Sequence, residues 1–404
     1  MRRSKQAVVL WMALVGLGSG FPLLFSSQIF KVWLLDSGSS IHEVGLVSLL
    51  TLPYTLSFLW TPLLDYLVQS GYASRKSMIV SLFIFSSMLL YQFSFINPTS
   101  TYTYALFVGF LLASVAATQD RLIDAYRMST VPEALQAWGV ASSTFCFRIA
   151  VMLAGGGCLI LSGMLGWVHV YQISAAFMLL IACSMVFAPA DPIQETSLSC
   201  RACLSKCFDI MISTFKDYRF FRLLLWYRLS IFWLEAMMPA FLSQYMGMSV
   251  SEIGWLYKIY GTLGLLAGSA LMGAWGIRYS VKSLFYMCLG LQIVLSTGFY
   301  VATLSPAMAD MTYWLVLGEC CIQGMLGTLS ILWFSQQLQG REVSAFHFAL
   351  WGGIGTIGRA ISGPLAALVI EHFNWSSYML MSIALGFLGL HACLMFFEEQ
   401  KVVA

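Results

Sequence analysis

Charge is what this sequence has least of. Only 10% of its 404 residues are Asp, Glu, Lys or Arg, against 59% that are hydrophobic, and the mean hydropathy is +0.80. A soluble domain carries roughly a quarter charged residues, so a soluble protein is excluded, no nucleic-acid partner is expected, and a polytopic membrane protein is implied. No A-x-A cleavage site follows the basic start MRRSK, and its apolar continuation is too long for a signal peptide, so it is expected to stay as the first span. The five histidines, His42, His169, His347, His372 and His391, are isolated, and there is no Ser/His/Asp cluster. Prenyl-transfer chemistry on Asp120 and Asp124 would need a second Asp-rich cluster to clamp a magnesium diphosphate, and the sequence has none. An enzyme is therefore not expected, nor a metal or cofactor. Most of the ten cysteines read as small apolar packing residues. Cys200, Cys203 and Cys207 have metal-like CxxC spacing but lack a clear fourth ligand.

What is present is a series of apolar runs of about 20 residues, the length that crosses a bilayer as a helix. They predict twelve spans: 8–35, 42–67, 77–96, 102–128, 134–163, 169–189, 220–244, 251–275, 283–305, 312–337, 343–371 and 376–397. Of the 21 Lys and Arg, six (Lys31, Arg121, Arg148, Arg228, Lys258 and Arg359) lie inside spans. The remainder fall in alternate loops or at their edges, which predicts that both termini are cytoplasmic. A polar segment at 190–219 separates six spans from six. This predicts an N-terminal bundle over 1–189, a cytoplasmic linker over 190–219 and a C-terminal bundle over 220–404.

The two halves echo each other. Ser40-Ile-His-Glu43 recurs as Ser249-Val-Ser-Glu252, Arg148 before a glycine run recurs as Arg359 before Gly363-Pro364, and Trp167 recurs as Trp375. A parallel duplication of six helices, related by a pseudo-two-fold axis along the membrane normal, is the pattern of the major facilitator superfamily (MFS). In that architecture the first, fourth, seventh and tenth helices line the cavity, and the third, sixth, ninth and twelfth face lipid. The lipid-facing set lacks charge here until its last turn. The cavity set carries Lys31, Asp120, Arg121, Asp124, Arg228, Glu235 and Glu319.

The densest polar stretch is ASVAATQDRLIDAYR, residues 113–127. Asp120 and Asp124 are four apart, hence on one helix face about 6 Å apart along the axis. They are candidate proton carriers, with Glu235 as a third, and Gln119 is a neutral hydrogen-bond partner for Asp120. The alternative is structural pairing with Arg121 and Arg127, which is the preferred role for Asp124. Arg228 is a candidate cation for an anionic substrate or a partner of Glu235. Arg148 and Arg359 either bind substrate or brace the halves, and Gln28, Gln119, Glu319 and Gln323 complete the substrate-binding candidates. Lys258 and Glu319 fall at similar depth and are expected to form a structural ion pair. Pro22, within a glycine-rich run, and Pro239 are expected to weaken the first and seventh spans. Glu43 and Glu252 each close a Ser-x-x-Glu capping box. Asp65, Arg75, Lys76 and Arg127 are candidate gate residues, because an acid at a helix end followed by a glycine and a basic pair resembles the superfamily's gating motif.

Several stretches together resemble AmpG-type muropeptide permeases: Gly18-Ser-Gly-Phe-Pro-Leu23, Phe58-Leu-Trp60-Thr-Pro62-Leu-Leu-Asp65, Thr118-Gln119-Asp120 with Asp124-Ala125-Tyr126-Arg127, Phe147-Arg148, Lys258, Glu319, Gly358-Arg359 and Glu371 with Trp375. The resemblance implies a monomeric symporter of the bacterial cell inner membrane. It would import N-acetylglucosaminyl-anhydromuramyl peptides from periplasm to cytoplasm on the proton gradient, for peptidoglycan recycling and beta-lactamase induction. Arg121, Ser129 and Ile231 depart from the family pattern and bear on substrate identity. Another anionic conjugate, such as an acyl-CoA, is the alternative cargo.

Overall fold

The computed structural model describes residues 2–69, 71–131, 136–190, 200–304, 309–338 and 344–403, and every regular element among them is helical. In chain order these are α1 (Arg2–Phe25), α2 (Gln28–Asp36), α3 (Ile41–Leu46), α4 (Leu52–Leu56), α5 (Thr61–Gln69), α6 (Arg75–Phe93), α7 (Tyr102–Thr130), α8 (Gln136–Met152), α9 (Cys158–Leu165) and α10 (Trp167–Met185). Then follow α11 (Cys200–Lys216), α12 (Tyr218–Trp226), α13 (Leu229–Ala240), α14 (Val250–Ile253), α15 (Gly261–Trp275), α16 (Val281–Ala302), α17 (Ala309–Leu338), α18 (Ser344–His372) and α19 (Trp375–Val403). Short 3-10 turns join α3 to α5. Wider π turns at Leu153–Gly157, Phe241–Tyr245 and Gly254–Tyr260 interrupt three of the long rods.

Ten helical stretches among the described residues are long and apolar enough to cross a membrane, where the sequence suggests twelve. The two missing from that set are the predicted seventh and eighth spans. The seventh is split by a turn at Tyr227 and Arg228, where Arg228 leaves helical geometry (φ −114, ψ −1). It passes into a π turn just after Pro239, which cannot donate a hydrogen bond to the carbonyl of Glu235. The eighth is helical throughout from Val250 to Trp275 but is diluted by Lys258 and glycines. The first span is also in two pieces. Ser26 and Ser27 donate back to the carbonyl of Leu23 at 3.1 and 2.8 Å, just beyond Pro22, and α1 ends there.

Contacts divide the chain into two compact units, Met1–Ser39 with Leu56–Ala202, and Ser40–Thr55 with Cys203–Ala404. The first half of the predicted second span thus packs in the later unit, against α18. Gly45 and Gly363 meet there at backbone distance, and Glu371 accepts from the His42 amide at 2.9 Å. The polar segment 190–219 contains α11, whose Phe208, Ile212 and Phe215 are exposed.

Glycine decides how closely the rods cross. In the first unit Gly16 and Gly20, one turn apart, lie on the backbone carbonyls of Ser143 and Phe147, while Gly18 faces the ring of Phe83. In the second unit α15 and α17 cross through Gly268 against the Cys321 carbonyl and Gly324 against the Leu265 carbonyl. A side chain there meets backbone that cannot rotate away. Gly268→Val is expected to cost about 3 kcal/mol or more and to abolish folded protein on detergent size-exclusion chromatography. Gly290→Ala, in open space on α16, should fold as wild type.

Both capping boxes are present. Ser40 and Ser249 each accept from the amide three residues on at 3.3 Å, and Glu43 and Glu252 each accept from the serine amide at 2.8 Å. The helices expected to face lipid, α6, α10, α16 and α19, present exposed Met88, Leu180, Val294 and Phe387.

Candidate functional site

The first unit holds a cavity of about 260 Å³ lined by Ser19, Asp120, Arg121, Ile123, Asp124, Arg127, Ser143, Thr144, Phe147 and Arg148. Three helices build it. α7 contributes the charged stretch at i, i+1, i+4 and i+7, α8 contributes Arg148 and its neighbours, and α1 contributes Ser19 from its glycine-rich segment.

The two aspartates differ in their partners. Asp124 is paired with Arg127 at 2.9 Å and faces Arg121 at 3.9 Å, which is the structural pairing expected for it. Asp120 forms no ion pair among the described residues. Its Oδ1 accepts from the Ser19 hydroxyl of α1 at 2.5 Å, a neutral partner 101 residues away in the chain. Gln119 is not that partner. Adjacent helix positions do not share a face, so Gln119 is turned into the packing between α7 and α6, wholly buried, with Nε2 donating to Ser86 at 2.9 Å. Arg148 lies in the cavity wall beside the Phe147 ring, 5.8 Å from its centroid, and has no ion pair among the described residues.

Of the gate candidates, Arg75 is buried and Lys76 donates to the Ala188 carbonyl at 2.5 Å. Asp65 sits on α5 with its side chain outside the described residues, and the ion pair of Arg127 is with Asp124. The side chains of Cys200, Cys203 and Cys207 also lie outside the described residues, so the CxxC spacing is not resolved into a geometry.

In the second unit a polar cluster surrounds Phe232. The guanidinium groups of Arg228, one turn before it on the chain, and of Arg359 on α18 each lie 4.9 Å from its ring centroid. Arg359 makes the ion pair with Glu235, at 3.0 Å. The pair considered for Arg228 and Glu235 is thus corrected: the carboxylate faces α18, and Arg228 has no ion pair among the described residues. The expected Lys258 and Glu319 pair is corrected as well. Buried Lys258 lies 4.1 Å from the Tyr257 ring centroid and interacts electrostatically with Glu235. Buried Glu319 instead accepts from Gln292 of α16 at 3.0 Å. Gln323, one turn along α17, leaves its Nε2 without a hydrogen bond. Gln28 is buried at the first turn of α2.

Three residues of these sites escape sequence reasoning: Ser19, Phe232 and Gln292. Ser19 lies inside a glycine-rich stretch whose plain signal is a weak helix. Gln292 is hidden by the absence of formal charge in its span.

Among the described residues every regular element is helical, with repeated capping motifs, cavity-lining charges on otherwise apolar helices and broken rods next to them, and solved structures share this fold. A point mutant of the nucleoside transporter NupG superposes with a TM-score of 0.75 over 96% of this chain and 100% of that one, at 15% identity. A bacterial homologue of the human lysosomal transporter Spinster superposes with a TM-score of 0.72 over 99% and 97%, at 14% identity. The fold is that of these two transporters.

Within that class the sequence is more specific. Residues 8–153 match the family described as acetyl-coenzyme A transporter 1. The anhydromuropeptide permease of Escherichia coli (strain K12) is 25% identical over 384 residues, covering 93% of this chain and 77% of the relative. The chain is thus similar over most of its length to a protein named anhydromuropeptide permease.

Proposed function

We propose that this protein is a proton-coupled secondary transporter that imports N-acetylglucosaminyl-anhydromuramyl peptides from periplasm to cytoplasm across the bacterial inner membrane. Twelve membrane-crossing segments in two pseudo-symmetric six-helix halves, with the bundles over 1–189 and 220–404 and both termini cytoplasmic, make up the carrier. The broken seventh segment counts as one crossing. The carrier acts as a monomer and uses the proton gradient in place of any cofactor.

The observation that carries the reading is Asp120, a carboxyl group in a cavity, held by a hydroxyl rather than by an arginine. A group that must bind and release a proton needs a partner that tolerates both charge states, and a serine does so where a fixed cation does not. Asp124 and Glu235, each paired with arginine, are reserve acids for that role. Arg148, Arg228 and Arg359 are candidate cations for the carboxylates of a peptide-bearing substrate. Gln28, Glu319 and Gln323 add hydrogen-bonding groups, while Gln119 serves packing. Asp65, Arg75, Lys76 and Arg127 hold the cytoplasmic gate.

A second reading, transport of an acyl-CoA, is favoured by the match over residues 8–153. Competition separates the two. Uptake of labelled anhydromuropeptide by proteoliposomes should be blocked by unlabelled anhydromuropeptide and unaffected by acetyl-CoA. Uptake of acetyl-CoA with no uptake of any muropeptide would select the second reading.

A further inference from the structure

α11 ends against the boundary of the apolar rods in the second unit. The Trp351 indole, near the start of α18, donates to the Thr214 hydroxyl at 3.4 Å. Phe220, just inside α12, meets the rings of Trp351 at 4.7 Å, of Trp333 near the end of α17 at 5.5 Å and of Phe396 near the end of α19 at 6.0 Å. The apolar spans of those helices stop close to these rings, at Ala349, Phe334 and Glu398. The last turns of α11 thus lie at the level where apolar span gives way to polar chain.

Around its axis α11 has three sides. Thr214 is buried on the side facing α18. Phe208, Ile212 and Phe215, spaced i, i+4 and i+7, share a second side and are 57, 36 and 50% exposed. Asp209, Ser213 and Lys216 share the third, which is polar and exposed. The apolar stripe continues past the turn at Asp217, since Phe215 meets Phe221 of α12 at 5.2 Å and Tyr218 is exposed.

Cations border the stripe. Lys216 and Arg219 are exposed, and half-buried Arg222 lies 5.6 Å from the Tyr218 ring centroid, with its Nε buried and without a hydrogen bond. The acids on these two helices are exposed Asp209 and Asp217, and Asp217 is engaged in accepting from the Phe220 amide at 3.1 Å as the cap of α12.

We infer that the apolar stripe of α11 lies in the bilayer surface, where Lys216, Arg219 and Arg222 bind the phosphates of anionic phospholipids. A helix with an apolar side and a charged side rests in the headgroup region with its apolar side among the acyl chains. Lysine and arginine lay their stems along such a surface and hold their charges at the phosphates, which a guanidinium binds through paired hydrogen bonds. A soluble protein partner is disfavoured, because the stripe runs on into α12, which leads into the predicted seventh span. Whatever covers Phe215 therefore also borders the bilayer.

The inference requires only that the chain spans a membrane, so it is tested without cargo. The full chain with Phe215→p-benzoylphenylalanine, a photoreactive residue, is placed in nanodiscs of equal parts phosphatidylglycerol and phosphatidylcholine, irradiated, and weighed by intact-protein mass spectrometry. A lipid adduct is expected, and none when the same residue replaces Ser213 on the polar side. Phosphatidylglycerol adducts should outnumber phosphatidylcholine adducts about fivefold, the value of one net positive charge at a membrane surface. Lys216→Gln and Arg222→Gln should each bring the ratio towards parity, and Asp209→Asn should raise it by a further factor of about five. All three change side chains that reach solvent, and melting temperatures in phosphatidylcholine alone should match the wild type. The inference is overturned if position 215 gives no lipid adduct, if irradiation in cell membranes joins it to a protein instead, if the two lipids react equally, or if the charge variants leave the ratio unchanged. Lipid adducts with this charge dependence, in a protein that transports no muropeptide, would keep this inference and remove the transport reading alone.

Discussion

Asp120→Asn is expected to abolish accumulation of substrate against its gradient while leaving exchange of internal for external substrate. Net uptake moves a proton with the cargo, and exchange does not. An asparagine retains the hydrogen bond to Ser19 and the shape of the cavity but cannot release a proton, so the loss should be confined to the coupled mode. Asp124→Asn should act differently. It takes a carboxylate from between Arg121 and Arg127 and should lower folded yield or both transport modes together. Initial rates of gradient-driven uptake and of exchange, measured on the same preparations, separate the two. If Asp120→Asn still concentrates substrate at the wild-type rate, Asp120 is not the carrier, and Glu235 is the next acid to examine.

The pair of Arg359 with Glu235 should behave as a unit. Glu235 is mostly buried, with 13% of its side chain exposed, and Arg359 is 37% exposed. Glu235→Ala leaves Arg359 without its counter-ion, whereas Arg359→Ala leaves Glu235 its interaction with Lys258, and loss of the pair costs about 1–2 kcal/mol after allowance for solvent at the arginine. Arg359→Ala and Glu235→Ala should each lower folded yield and reduce transport more than tenfold. The double variant should lose no more yield than Glu235→Ala alone, because Arg359 is then no longer left unpaired, and it should still not transport. The reason is that Arg359 also stands over Phe232 beside Arg228, where it is proposed to meet an anionic group of the cargo. A double variant that transports normally would show the pair to be structural only.

How much of this is legible in the sequence follows from the range of each interaction. The capping boxes at Ser40 and Ser249 are chemistry between residues three apart, and both are readable. The weakening of the first and seventh spans is readable from Pro22 and Pro239, although the break at Arg228 comes earlier in the seventh span than Pro239 implies. The helix over Cys200–Lys216 is missed because its polarity reads as loop. Its apolar Phe208, Ile212 and Phe215 recur at helical spacing, which is the available signal. Ser19 with Asp120, and Gln292 with Glu319, cannot be read. They join different helices through neutral groups, and no local period records which neighbour a helix face meets. The misplaced role of Gln119 is avoidable, because neighbouring helix positions point about 100° apart.

The central claim, that cargo and proton cross together through a site containing Asp120, is tested most directly by substrate-driven proton movement. Proteoliposomes holding a pH-sensitive dye, with no imposed gradient, receive anhydromuropeptide on the outside. The wild-type lumen should acidify as substrate enters, and Asp120→Asn liposomes should show no pH change while still exchanging labelled substrate. Uptake of substrate without acidification in the wild type, or equal acidification in the variant, would contradict the claim.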